Sequence, residues 1–200
     1  MKRSGQIRKT AGIERRRTER VLDIESAALL FRALGFAAHK HRDQRRKGPD
    51  RSPYINHPIA LANVLCSECG ITDVAVLCAA VLHDTVEDTD TTREELRKNF
   101  GAEICEIVME VTDDKGLQPA ARKRLQVESA PRASRKAKLV KIADKICNLR
   151  DVVTSPPASW DLRRRQEYFD WAREVIDQIR GVHPGLEKLF DRAYAKRPTS

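Results

Sequence analysis

The residues best suited to chemistry crowd into one stretch, AAVLHDTVEDTDTT, from Ala79 to Thr92. An apolar run gives way there to one histidine, one glutamate and three aspartates: His83, Asp84, Glu87, Asp88 and Asp90. Burying unpaired charge is costly, so a chain that drives an apolar helix into such a knot must compensate it. Two further polar residues interrupt apolar segments. His57 opens a helix in PYINHP, and Asp144 lies in VKIADKICNLRD, flanked by Ile142, Ala143 and Ile146. Each has a bland explanation alone. A histidine before proline can be an N-cap variant, a His-Asp pair arises by chance, and Asp144 can pair with Lys141 or Lys145 on a surface. Together, two imidazoles and two carboxylates make a ligand set for one divalent cation. Nitrogen and oxygen donors without thiolate suit Mn²⁺, Fe²⁺, Zn²⁺ or Mg²⁺. Four protein ligands leave positions for water and substrate, and an ion of this kind brings the pKa of bound water towards neutrality. Glu87, three residues past Asp84, and Asp88 can point into the same cavity. One of them can orient the attacking water and the other can handle a proton. Asn148, four residues after Asp144, shares its helix face, where an amide can hold a hydroxyl or a phosphate oxygen.

The elements that must position these groups read as helix after helix, with no convincing strand. IESAALLFRALGFAAHK (24–40) has Ile24, Ala27, Ala28, Phe31, Leu34 and Ala38 at the spacing of one buried helical face. A polar loop broken by Gly and Pro follows, HRDQRRKGPDRSPYIN. The next helix runs over 57–70, with Pro58 in its first turn and Gly70 as its stop. A central helix over 72–84 starts at Thr72 and is apolar nearly all round. Thr92 and Glu95 have capping-box spacing for a helix that closes on Gly101. Further helices are expected over 102–114, 117–130, 134–153, 161–181 and from Pro184 onwards. The fold class is therefore all-α, an orthogonal helical bundle held as one domain over residues 24–195, with Asp90, Thr91 and Thr92 forming a turn and cap.

The net charge of +9 on 200 residues is uneven. Residues 1–20 carry eight Lys or Arg against two Glu, so the arm holds most of the excess. It reads as a solvated, disordered N-terminal arm, with an electrostatic tether to RNA or another polyanion as the alternative. No apolar segment follows its charges, so it is not a secretory signal, and no apolar run is long enough to span a bilayer. The five cysteines are odd in number, and the Cys66/Cys69 pair has no second pair or suitably spaced histidine to complete a zinc site. They read as thiols in a reducing cytoplasm.

Five segments in order, QRRKGPDRSPYINHP, LHDTVEDTDTT, FGAEICEIVMEVTDDK, RKRLQVE and AKLVKIADKICNLRD, give the chain a resemblance over residues 24–195. It resembles the HD-domain hydrolases of the RelA/SpoT type. More narrowly, it is similar to the small, single-domain guanosine-3′,5′-bis(diphosphate) 3′-pyrophosphohydrolases. The resemblance implies Mn²⁺-dependent release of pyrophosphate from the 3′ position of ppGpp and pppGpp, leaving GDP or GTP. It implies His57, His83, Asp84 and Asp144 as metal ligands and Glu87 and Asp88 as catalytic carboxylates. It also implies nucleotide contacts from Arg46, Lys47, Asn148 and Tyr168. On physical grounds Arg46 and Lys47 suit a substrate carrying two pyrophosphates, and a guanidinium can stack on guanine.

One stretch departs from the family. Where close relatives carry a lysine able to reach phosphate, this chain reads GLQPAA with Pro119, leaving Arg122 or Lys123 to supply the contact. No synthetase segment is evident, so hydrolysis alone is expected. Two rivals stand beside this reading: an HD phosphohydrolase acting on another nucleotide, such as the 2′-phosphate of NADPH, and a catalytically inactive nucleotide- or RNA-binding protein anchored by the arm. The intact His57, His83, Asp84, Glu87, Asp88 and Asp144 argue against the second.

Overall fold

The computed structural model of the chain describes residues 22–199. The basic arm expected over residues 1–20 lies outside the described residues. Among the described residues no β-strand forms, and Arg45 and Pro53 make only an isolated bridge. The helices are α1 (Ile24–Lys40), α2 (Asn56–Asn63), α3 (Val74–Leu82), α4 (Thr85–Asp88), α5 (Arg93–Val111), α6 (Pro119–Ser129), α7 (Arg135–Thr154), α8 (Leu162–Asp177) and α9 (Pro184–Tyr194). The all-α class read from the spacing is the class observed.

The apolar helix ahead of His83 is the centre of the packing. Every residue of α3 from Ala75 to Leu82 is buried, and α1, α2, α5 and α7 pack around it. A helix enclosed on all sides needs apolar residues on all sides, which is why its sequence shows no polar stripe. Its N-cap is Asp73 rather than the expected Thr72, because the Asp73 carboxylate accepts from the backbone N–H groups of Ala75 and Val76. The second buried helix, α7, touches α2, α3, α5, α8 and α9 and buries its apolar residues from Ala137 to Val152. It starts where Ser134 accepts from the Ala137 N–H.

Three expectations are corrected. The face proposed for α1 is not its buried face: Ile24 and Phe31 are 88% and 72% exposed, whereas Ala33 and Ala37 are sealed in the core. Apolar residues occur all round this helix, so spacing alone leaves its rotation open. The small Ala33 and Ala37 allow α1 to approach α3 closely. The second helix is not one α-helix to Gly70. It is α-helical to Asn63 and widens into a π-turn over Val64–Glu68 before Gly70, at φ 66°, ends it. Thr92 does cap α5, accepting from the Glu95 N–H at 3.1 Å, but the Glu95 carboxylate accepts from Lys40 at 3.1 Å instead of reaching back.

Two glycines shape what the site needs. Gly48 brings the loop between α1 and α2 against the end of α7; a Cβ there would sit 2.9 Å from the Ser155 carbonyl oxygen. Gly101, at φ 85° and ψ 171°, bends α5 into two arms. The first buries Leu96 and Phe100, and the second buries Ile104, Cys105, Ile107 and Val108. That backbone region suits glycine alone, and nothing crowds the position. Gly101→Ala is therefore expected to cost about 1–3 kcal/mol through backbone strain. The corresponding fall in melting temperature is roughly 2–10 °C. Thermal unfolding of the variant checks this, and an unchanged midpoint would mean that the bend carries no strain.

Candidate metal centre and paired cavities

Three helices deliver the buried polar cluster. His57 comes from the first turn of α2, His83 from the residue that ends α3, and Asp144 from the middle of α7. One ligand atom from each lies within 4.8 Å of the others, and both histidines are buried. His57 Nε2 is 3.2 Å from Asp144 Oδ1. His83 Nδ1 is 2.8 Å from the Ala80 carbonyl. A carbonyl only accepts, so Nδ1 carries a proton and the other ring nitrogen is turned to the cluster. There His83 Nε2 lies 2.8 Å from Asp84 and 3.9 Å from Asp144. It is buried with no well-directed hydrogen bond, as is His57 Nδ1. A ring nitrogen facing two carboxylates must be matched by a cation or a proton, and a ring fixed through its other nitrogen is how histidines are oriented towards metals. The donor set fits a divalent ion.

In the protein alone, protons do the matching. Burial works against charge on His83, but the Asp84 carboxylate outweighs it and raises the imidazole to about 9. Burial likewise opposes ionisation of Asp84 and Asp144, yet both are held below the usual carboxylate range, Asp84 by His83 and Asp144 by Lys145 with His57. The Tyr54 hydroxyl donates to Asp84, and burial together with that carboxylate raises the phenol so that it stays a donor.

The cluster stands where two cavities meet. The larger, of about 500 Å³, is lined by Arg46, Lys47, His57, Asn148, Trp160 and Tyr168 among others. The smaller, of about 290 Å³, shares Lys47, His57, Asn148 and Tyr168 and adds His83, Asp84, Glu87, Asp113, Gln126, Lys141, Asp144 and Lys145. Arg46 pairs with Asp151, reaches Asn148 Oδ1 at 3.4 Å and lies over the Tyr54 ring. The Asn148 amide donates to Asp144 at 2.6 Å, so it bridges the mouth of the site and its floor.

Glu87 and Asp88 part company. Glu87 lies on the wall of the smaller cavity, accepts from the Asp113 N–H at 3.1 Å and has Arg122 at 3.8 Å. Asp88 is not on that wall; it accepts from Gln44 at 2.8 Å and pairs with Lys115. Sequence reasoning missed Tyr54 and Asp151, and it considered Lys141 and Lys145 only as surface partners in the bland alternative for Asp144. Both lysines are buried, at 8% and 5% exposure. Their signal was available: α7 is apolar at Leu139, Val140, Ile142, Ala143 and Ile146, too nearly all round for its lysines to face water. Of the two residues expected to replace a missing phosphate contact, Arg122 approaches Glu87, whereas Lys123 lies over the Tyr168 and Trp171 rings.

The family described as HD domain matches residues 33–169. The chain belongs to the HD-domain family. It is 55% identical over 168 residues to the guanosine-3′,5′-bis(diphosphate) 3′-pyrophosphohydrolase MESH1 of Xenopus tropicalis, covering 84% of this chain and 94% of that protein. It is 54% identical to the Homo sapiens protein of the same name, over 86% and 96% of the two chains. A solved structure described as a metazoan ortholog of SpoT that hydrolyzes ppGpp superposes with a TM-score of 0.82 at 48% identity, covering 85% of this chain and 96% of that one.

In this HD domain, burial pushes the Glu87 carboxyl up to about 7, against the Asp113 N–H that donates to it. The metal-free fold thus holds a proton there that the unfolded chain releases near 4.5. Its stability contribution is complete below that lower value and falls as pH rises towards 7. Glu87→Gln removes the loss. It is expected to raise the melting temperature of the metal-free protein at pH 8 and to leave it nearly unchanged at pH 4. Equal shifts at both pH values would refute the assignment.

Proposed function

We propose that this chain hydrolyses guanosine 3′,5′-bis(diphosphate) and its pentaphosphate at the ribose 3′ position, with Mn²⁺ as cofactor, releasing pyrophosphate. One observation carries the reading: the buried His57–His83–Asp144 cluster lies at the junction of two cavities in a chain 55% identical to a relative of that name. His57, His83, Asp84 and Asp144 would hold the cation, which when bound supplies Lewis acidity to the scissile phosphate and activates water.

The chain's own residues do the rest. Arg46 and Lys47 take the 5′-phosphates at the mouth of the larger cavity, and Tyr168 and Trp160 offer flat apolar faces to ribose and base. Asn148, tied to Asp144 on one side and to Arg46 on the other, fixes the ribose end against the cluster. Glu87 orients the attacking water and takes its proton. Asp88, held by Gln44 and Lys115, lies close enough to Glu87 to favour its protonation. The water oxygen bonds to the phosphorus next to the ribose. The bond from phosphorus to the 3′ oxygen breaks, and that oxygen keeps the electron pair and gains a proton. Phosphoryl transfer of this kind relies on positioning and charge stabilisation more than on covalent chemistry. The reaction belongs in the cytoplasm, where the five free cysteines stay reduced.

Incubation with Mn²⁺ and ppGpp is expected to release pyrophosphate, and a chelator should stop it. Absence of release from folded, metal-loaded protein overturns the reading, and a parallel arm with NADPH reads out 2′-phosphate removal. His83→Ala and Asp144→Ala should each lose the bound metal by elemental analysis. Turnover should fall by more than the ~10–100-fold expected when only a supporting partner of a ligand is lost. A metal-replete, active variant would remove that residue from the ligand set.

A further inference from the structure

Among the described residues, the smaller cavity is lined by a buried cation, Lys141, that the site's own charges do not employ; Lys47, which shares the wall, is exposed. Lys145 pairs with Asp144 at 3.0 Å, Arg122 lies 3.8 Å from Glu87, and Asp84 is matched by His83. Asp113, the carboxylate nearest in kind to a partner for Lys141, already accepts from Gln126 at 2.6 Å. Lys141 is only 8% exposed and lines the cavity, and among the described residues its ammonium forms no hydrogen bond or ion pair. An ammonium in such a place is costly unless something anionic visits it. Burial, reinforced by the neighbouring Lys145, pushes its pKa down, so it gains more than its neighbours from an incoming anion.

Position says which anion. Lys141 and Asp144 are three residues apart on α7, hence about 5–6 Å apart at their Cβ atoms on one face. An anion touching both the cluster and the Lys141 ammonium must span that gap. Two linked phosphates can bridge it, one at the cluster and the other at the lysine. We propose that Lys141 is a specificity-determining residue of the smaller cavity: it binds the terminal phosphate of a pyrophosphoryl group whose other phosphate lies at the His57–His83–Asp144 cluster, so the cavity selects linked diphosphates over single phosphates. The inference rests on the pyrophosphohydrolase reading for its substrate, while the selection itself is a property of binding.

The test uses the full chain loaded with metal, as wild type, Lys141→Met, Lys141→Gln and Lys141→Arg. Calorimetry with inorganic pyrophosphate and with inorganic phosphate, at fixed free metal, measures selection independently of turnover. Lys141→Met and Lys141→Gln should keep their metal. Pyrophosphate affinity should weaken roughly 10–100-fold, the range for a lost charged hydrogen bond, with phosphate affinity little changed. The kcat/KM for ppGpp should fall by a similar factor, and Lys141→Arg should recover most of both. The Met variant should also melt about 2–4 °C higher, since a buried unpaired charge is gone. Pyrophosphate and phosphate weakening together, or neither weakening, overturns the assignment. A wild type that selects pyrophosphate through Lys141 but leaves ppGpp intact would overturn the substrate reading and retain the cavity assignment.

Discussion

The carboxylates of Asp84 and Asp144 lie half-buried on the wall of the smaller cavity, against the helical core, and positive charge has to be brought to them there. Asp144 meets Lys145 at 3.0 Å, His57 at 3.2 Å and the Asn148 amide at 2.6 Å, while Asp84 meets His83 at 2.8 Å. In a low-dielectric interior such contacts are strong when complete and costly when one partner is missing. They therefore demand that α2, α3 and α7 cross with a particular register. The apolar packing supplies it: the alanine-rich α3 lets its neighbours approach closely, and the end of α3 leaves His83 facing α7.

The same demand organises the outer charges. Arg46 does not sit free at the cleft mouth. It pairs with Asp151, touches Asn148 and lies over Tyr54, which itself donates to Asp84. A continuous chain of polar contacts thus runs from the rim to the buried cluster. The close approach at Gly48 holds its outer end, because the loop could not lie against Ser155 with a side chain there. Asp88 joins a second chain through Gln44 to His41, whose Nδ1 is 2.6 Å from the Gln44 oxygen. In each chain a neutral donor, Tyr54 or Gln44, orients a carboxylate, Asp84 or Asp88, that a cationic partner also meets.

Much of this was legible in the residues. Breakers placed most helix boundaries, and Thr92 caps α5 where its spacing predicts, although the cap of α3 is Asp73 and not Thr72. His57, His83 and Asp144 stood out because polar groups in apolar runs are rare. What could not be read depended on rotation about a helix axis. Apolar residues surround α1, and the choice of Ala33 and Ala37 over Ile24 and Phe31 is made by α3, a partner distant in sequence. The burial of Lys141 and Lys145 was legible by contrast, because α7 is apolar nearly all round. Tyr54 gave no signal, because an aromatic residue beside a loop is ordinary until the carboxylate it serves is located.

The segment KIADKICN in α7 shows how one helix satisfies two demands at once. Ile142, Ala143 and Ile146 build the core, while Lys141, Asp144, Lys145 and Asn148 recur at intervals of one, three and four residues and keep to one side. Apolar side chains at every one of those positions would pack more stably than charges that must be matched. The chain instead keeps a polar stripe in its interior, and the polar stripe, unlike an apolar one, lines a cavity. That contrast separates a buried charge that serves the fold from one that serves a ligand. Lys145 has its partner within the protein, so its charge completes the structure. Lys141 has none among the described residues, so the same residue type, one turn away on the same helix, makes sense only when the cavity is filled.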